Sequence, residues 1–199
     1  MTHRRRMPTP GAPLLTAGLA ALVAVGCGGG SNGSSGDCGG GSSTGTGPLT
    51  KEGTTLEIGK PAIFAYHGST LDGRKVSSKI AVTPETLEKG SSGDLDGAVP
   101  PSEEESTPYY VEVCVNNVGS GDLSKTDPTD ELSGTDERGE SQTPIFFVNG
   151  DFDRCNPEDE PASLKPGESF ATCLPFLVPK GGGSLAKVTW LIPDVTWKP

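Results

Sequence analysis

The most constraining stretch of the chain is Tyr109-Tyr110-Val111-Glu112-Val113-Cys114-Val115-Asn116, which alternates cleanly and puts Val111, Val113 and Val115 on one face. A period of two fits a pleated strand with one buried side; a helix would scatter those valines around its axis. Other segments read the same way. Leu56-Glu57-Ile58 with Pro61 to Tyr66, Lys75 to Val82, and Ile145-Phe146-Phe147-Val148 are strand candidates. Phe170, Thr172, Leu174 and Phe176 share a face of a further strand, and Val188 to Ile192 closes the series. Turn signals separate them: Asn149-Gly150, Lys165-Pro166-Gly167 and Lys180-Gly181-Gly182-Gly183. Glycine (29) and proline (18) fill almost a quarter of the 199 positions, and no amphipathic helix is read. That density excludes a helical bundle, a large α/β enzyme and a multi-span membrane protein. Short strands, Gly/Pro turns and no helices predict an all-β, immunoglobulin-like antiparallel sandwich of about seven strands.

The N-terminus has a different character. Arg4, Arg5 and Arg6 precede an apolar stretch from Leu14 to Val25, about 12 residues long. This is too short to span a hydrocarbon core of roughly 30 Å as a helix, and it has the length of a signal-peptide apolar region. It runs into Ala24-Val25-Gly26-Cys27, which resembles a bacterial lipobox, with Ala24 where leucine is more usual. Diacylglyceryl transfer needs a thiol at that position, so Cys27 is the expected lipidation site. The triple arginine hints at twin-arginine export, but Met7-Pro8 lacks the usual apolar follow-up. From Cys27 to Pro48 glycine and serine dominate, a composition with too little apolar surface to offset its ordering entropy. The expected organisation is therefore a lipoprotein signal peptide at 1–26, a flexible tether at 27–50 and a sandwich domain at 51–199, held at the outer face of a cell membrane by its lipid.

The net charge is −10, and it becomes −13 without the leader, which carries three Arg and no acids. An acidic chain repels the phosphate backbone, so nucleic acid is excluded as a partner. The acids concentrate in two segments. Glu85 to Thr107 holds Glu85, Glu88, Asp94, Asp96, Glu103, Glu104 and Glu105 against Lys89 alone. Gly119 to Thr143 holds Asp122, Asp127, Asp130, Glu131, Asp136, Glu137 and Glu140 against Lys125 and Arg138. Neither has a sustained hydrophobic period, and both read as long solvated acidic loops.

The order of motifs is a YxVxVxVxNxG strand (Tyr109 to Gly119), an apolar strand, LxPGES (Leu164 to Ser169), CLPFLVPKG (Cys173 to Gly181) and a final strand carrying Trp190. This order resembles the Ig-like domains of unknown function in actinobacterial and other Gram-positive surface lipoproteins, the "immunoprotective extracellular" type among them. The resemblance spans about half of the folded region, and the two acidic insertions depart from it. It implies a fold and an extracytoplasmic address, and no molecular activity.

Besides Cys27 the chain has Cys38, Cys114, Cys155 and Cys173, which allow three connectivities in an oxidising compartment. The resemblance implies a Cys155–Cys173 bridge around Pro157 and Pro161; by the chain-entropy model such a loop contributes about 3 kcal/mol. For Cys38 and Cys114 a bond stapling the tether to the sheet stands beside two free thiols or a Cys114–Cys173 pair. No Cys-x2-Cys pair exists to hold zinc.

No catalytic residue and no cofactor are expected. His67 is the one histidine after the leader, with Ser69 two residues on, and neither belongs to a Gly-x-Ser-x-Gly elbow. Asn149, Asp151, Asp153 and Glu160 fall at positions 1, 3, 5 and 12 of an EF-hand-like spacing, but Arg154 stands where the turn needs glycine and no helices flank the loop. They are a weak Ca²⁺ candidate. The leading expectation is a non-enzymatic binding module for an extracellular protein, glycan or wall component. The alternatives are a structural or cation-binding envelope protein and an envelope hydrolase, which needs His67 to meet a carboxylate. An exposed cluster of Trp197, Tyr109 or Tyr110 is the expected mark of a binding patch.

Overall fold

The computed structural model describes Cys38 and residues 47–70, 72–100, 102–103, 105–145, 154–155 and 163–199. Among these residues the chain forms nine strands and one short 3-10 turn, Ser92–Leu95. One sheet has four strands: β2 (Ala62–Ser69), β3 (Lys75–Lys89), β4 (Thr107–Asn117) and β7 (Ser169–Val178), in the order β2-β3-β4-β7. The other combines β1 (Thr55–Glu57), β5 (Leu132–Asp136), β6 (Ser141–Gln142), β8 (Leu185–Trp190) and β9 (Val195–Lys198), in the order β1-β9-β8-β5-β6. Every pair is antiparallel except β1 with β9, which is parallel. The expected all-β, immunoglobulin-like sandwich is what the chain forms, with two more strands than expected.

The alternating stretch is β4, at the centre of its sheet. Its Val111 lies opposite Leu174 and its Val115 opposite Phe170 on β7, and all four are buried in the core between the sheets. Aromatic rings join the two layers: Phe64 on β2 stacks on Trp190 of β8 at 4.9 Å and meets Trp197 of β9 edge-on at 6.2 Å. Each such pair adds about 0.5–1.5 kcal/mol beyond the burial of its area. Both indole N–H groups are satisfied, Trp190 donating to the Ile192 carbonyl and Trp197 to that of Lys60, each at 2.8 Å.

Both acidic segments contain strand where solvated loop was expected. Glu85 to Lys89 continues β3, because Tyr109 to Glu112 of β4 pairs with it beyond a bulge at Glu85. Pro84, which has no N–H for the ladder, sits at that bulge. In the second segment Leu132–Asp136 is β5, paired with β8, and Ser141–Gln142 is β6. Gly134 faces the core there: a Cβ on it would lie 2.8 Å from Leu185 Cδ1 and 3.0 Å from Phe176 Cδ1, so the close approach of the sheets requires glycine. The last strand expected, Val188 to Ile192, is followed by β9, which brings Trp197 into the core. Of the Ile145–Val148 candidate, Ile145 donates its N–H to Pro175, next to a Pro144–Phe176 bridge, and the remainder is outside the described residues.

Candidate functional site

The motifs that carry the family resemblance meet in space, and they do structural work. Asn117, fully buried, donates through Nδ2 to the carbonyls of Gly121 (2.7 Å) and Leu164 (2.8 Å), while its Oδ1 accepts from Ser78 Oγ (2.7 Å). Its backbone exchanges hydrogen bonds with Gly167 and Glu168. A Cβ on Gly119 would lie 2.3 Å from the backbone nitrogen of Lys79. The carboxyl of Glu168 accepts from Ser163 Oγ and the Lys165 N–H, which hold it below the usual carboxylate range. The Asn-x-Gly and LxPGES motifs therefore lock the end of β4 to the start of β7, and each of these polar groups is satisfied within that junction.

The cysteines occupy the outer face of the four-stranded sheet. Cys38 is bonded to Cys114 on β4, and Cys155 to Cys173 on β7. Alternation puts both strand cysteines on the side away from the valine core. Cys155 packs with Tyr110 and Cys173 in a small second cluster. Beside it the Arg154 guanidinium lies 4.9 Å above the Tyr110 ring and 3.4 Å from Asp94. Asp94 also accepts from the Ser91 N–H, the Tyr110 hydroxyl and Ser91 Oγ. These donors, the Ser91 N–H first and the Arg154 charge among them, hold its carboxyl below the usual range, whereas burial and the Asp94 bond push the Tyr110 hydroxyl up.

At the end of the sandwich where β2 ends and β3 begins, an open cleft of about 730 Å³ is lined by His67, Gly68, Ser69, Lys75, Val76, Ser77 and Asp130. Cross-strand pairing sets His67 opposite Ser77 and Ser69 opposite Lys75, so these four share one face of the hairpin. Asp130 comes from the loop before β5. The structure thus brings His67, two serines and a carboxylate to one cleft, but among the described residues His67 makes no hydrogen bond to any of them. In that loop Asp127 accepts from the Thr129 N–H (2.9 Å) and Oγ1 (3.0 Å), and among the described residues no cation pairs with Asp127, Asp130 or Glu131. Burial, with Asp127 and Glu131 beside it, pushes the Asp130 carboxyl up to about 6. Tyr66 donates its hydroxyl to the Asp127 carbonyl at 2.9 Å, and burial, aided by the charges of Asp130, Asp127 and Glu131, pushes it up to about 12.

The aromatic patch expected of a binding surface is not formed by the residues proposed for it. Trp197, Tyr109 and Tyr110 are all buried, Trp197 between the sheets and Tyr110 under Arg154. Sequence reasoning missed the pair that is exposed instead, Leu191 and Ile192, because it reads as the end of a strand. Cys27 and the oxygen set Asn149, Asp151, Asp153 and Glu160 lie outside the described residues. Among those described, no group of three His, Cys, Asp or Glu side chains is placed to hold a metal ion. Nor is any helix among them long and apolar enough to cross a membrane.

No protein-family model matches the sequence, and no curated protein matches it. Among solved structures the chain is similar to MPT63, a secreted protein from Mycobacterium tuberculosis, at 15% identity and a TM-score of 0.49, over 73% of this chain and 96% of that one.

Proposed function

We propose that this protein is exported and lipid-anchored through Cys27, and that its sandwich is a non-enzymatic module that binds an extracellular partner through the loops at one end. The observation that carries the reading is the Cys38–Cys114 bond. Cys38 follows Cys27 by eleven residues, a span of at most about 40 Å when fully extended. A lipid on Cys27 would therefore hold the sandwich within that distance of the bilayer. The bond also shortens the free leash: part of the segment read as tether is joined to the sheet at Cys38, and Thr50 is hydrogen-bonded to Ile63. Two disulfides suit an oxidising exterior. The loops at the β2–β3 end supply what a rigid scaffold presents for recognition, a cleft and a group of neighbouring carboxylates.

Labelling with a clickable palmitate analogue, followed by fractionation, tests the anchor. The full-length protein takes up label and pellets with membranes, and Cys27→Ala takes up none and is released. Equal release of both forms would overturn the anchored reading.

A further inference from the structure

Two of the three large hydrophobic residues exposed among the described residues are neighbours on one turn: Leu191, 52% exposed, and Ile192, 73% exposed. The turn joins β8 to β9 and is pinned on three sides. The Trp190 indole donates to the Ile192 carbonyl at 2.8 Å, the Leu191 N–H to the Glu131 carbonyl at 3.0 Å, and the Gly53 N–H to the Asp194 carbonyl at 2.6 Å. An aliphatic pair held out by a buried indole is pre-organised, so a partner gains its burial without first ordering a loop.

The surroundings define the partner. Glu131 is bonded across the strands to Leu191, Asp130 precedes it, and Asp194 lies two residues beyond Ile192. Asp130 also forms a wall of the cleft lined by His67 and Ser77. The carboxyl of Asp130 is crowded by Asp127 and Glu131, and a cation docked there would relieve that crowding. An anionic bilayer would repel the same group of charges. A glycan has no apolar pocket for two aliphatic side chains.

We infer that the Leu191–Ile192 tip and the carboxylates of Asp130 and Glu131 form one docking surface for a protein partner with an apolar pocket rimmed by lysine or arginine. The inference rests on the binding-module reading and deepens it. The tip fills the pocket and the carboxylates meet the rim, which sets orientation and excludes acidic surfaces.

The test uses the full chain in the cells that make it, with a photoactivatable benzophenone amino acid in place of Ile192, and the same group in place of Lys180 at the opposite end. Irradiation at Ile192 is expected to give an adduct with one protein whose modified peptide carries lysine or arginine. The adduct is expected to fall at least tenfold in the Asp130→Asn/Glu131→Gln background. Because Glu131 is half-buried, Asp130→Asn alone is run beside it and shifts the yield in the same direction. Adducts with lipid, adducts insensitive to the charge variants, or a partner captured from Lys180 and not from Ile192 would each overturn the docking surface while leaving a binding module standing. No adduct from either position would count against both.

Discussion

The two acidic segments are nearly indistinguishable as sequence, with seven acids each and one or two bases. In the fold they part company. Acids of the first segment are drawn into contacts made by the rest of the molecule: Asp94 by Tyr110 and Arg154, Glu88 by Arg154 at 3.9 Å, and Glu105 by Lys180 at 3.2 Å. The second segment is divided. At its far end Asp136 is fully buried in a tight turn; burial pushes its carboxyl up, but the N–H groups of Glu140 and Arg138 and the Arg138 guanidinium hold it below the usual range. In its middle, burial, with the charges of Asp127 and Glu131 beside it, pushes the Asp130 carboxyl up. Asp94, Glu88 and Glu105 of the first segment are therefore structural acids, whereas among the described residues no cation meets Asp130 in the middle of the second. The difference lies in where a cation or a buried donor arrives from elsewhere in the chain, which composition does not report.

This contrast is open to direct attack. The largest effect is expected from Cys155→Ala/Cys173→Ala, which frees the segment that carries Arg154 to the first acidic cluster. Urea unfolding is expected to show a loss of about 3 kcal/mol. Asp136→Ala strips three donors of their buried acceptor and is expected to lower stability by about 2 kcal/mol in the same assay. Asp94→Ala and Asp130→Asn are expected to have opposite signs at pH 7. The first costs about 1 kcal/mol; the second gains less than about 1 kcal/mol, since solvent screens a carboxylate that is only partly buried. Equal signs would erase the distinction drawn between the segments.

The pH dependence sharpens it further. Asp130 has a folded value raised to about 6 from the ordinary 3.8, so the folded state binds more protons across that window. Its contribution therefore falls as pH rises from about 4 through 6. Asp94 is lowered, so its contribution is full above the ordinary carboxylate value and is lost as pH falls below it. Carboxyl-detected NMR titration should separate the two. The smallest effect is expected for Lys180→Ala, whose ion pair with Glu105 is exposed at both ends; thermal melting should move by no more than the equivalent of about 0.5 kcal/mol.

What the sequence revealed follows from which residues announce themselves. β4 was legible because Val111, Val113 and Val115 all face one core. β5 was hidden because its core-facing Gly134 has no side chain to show a period, and its neighbours Ser133 and Asp136 are polar but buried. β3 was cut short because its acids looked solvated, although Thr86 and Leu87 pair with β4 across the bulge. The Asn-x-Gly and LxPGES motifs were visible, but that Asn117 reaches Leu164 is a fact of three dimensions. The cleft was illegible for the same reason: His67 and Asp130 are 63 positions apart, and only the packing of a loop against a hairpin joins them. The exposed tip was read as strand because Leu191 and Ile192 continue an apolar run whose buried part ends at Trp190.

The bond from Cys38 to Cys114 also decides how the molecule bears tension. A pull on the chain before Cys38 passes through sulfur directly into an inner strand of the four-stranded sheet, and the 75 residues between the two cysteines are bypassed. β1, β2 and β3 therefore lie off the line of force and are not peeled away one hydrogen bond at a time from their free edges. The force arrives instead along β4, whose ladders to β3 and β7 must slide as a whole for it to move. A partner gripping the Leu191–Ile192 turn would draw against that shear-resistant strand, and the first acidic segment, which lies between the two cysteines, would be spared the strain.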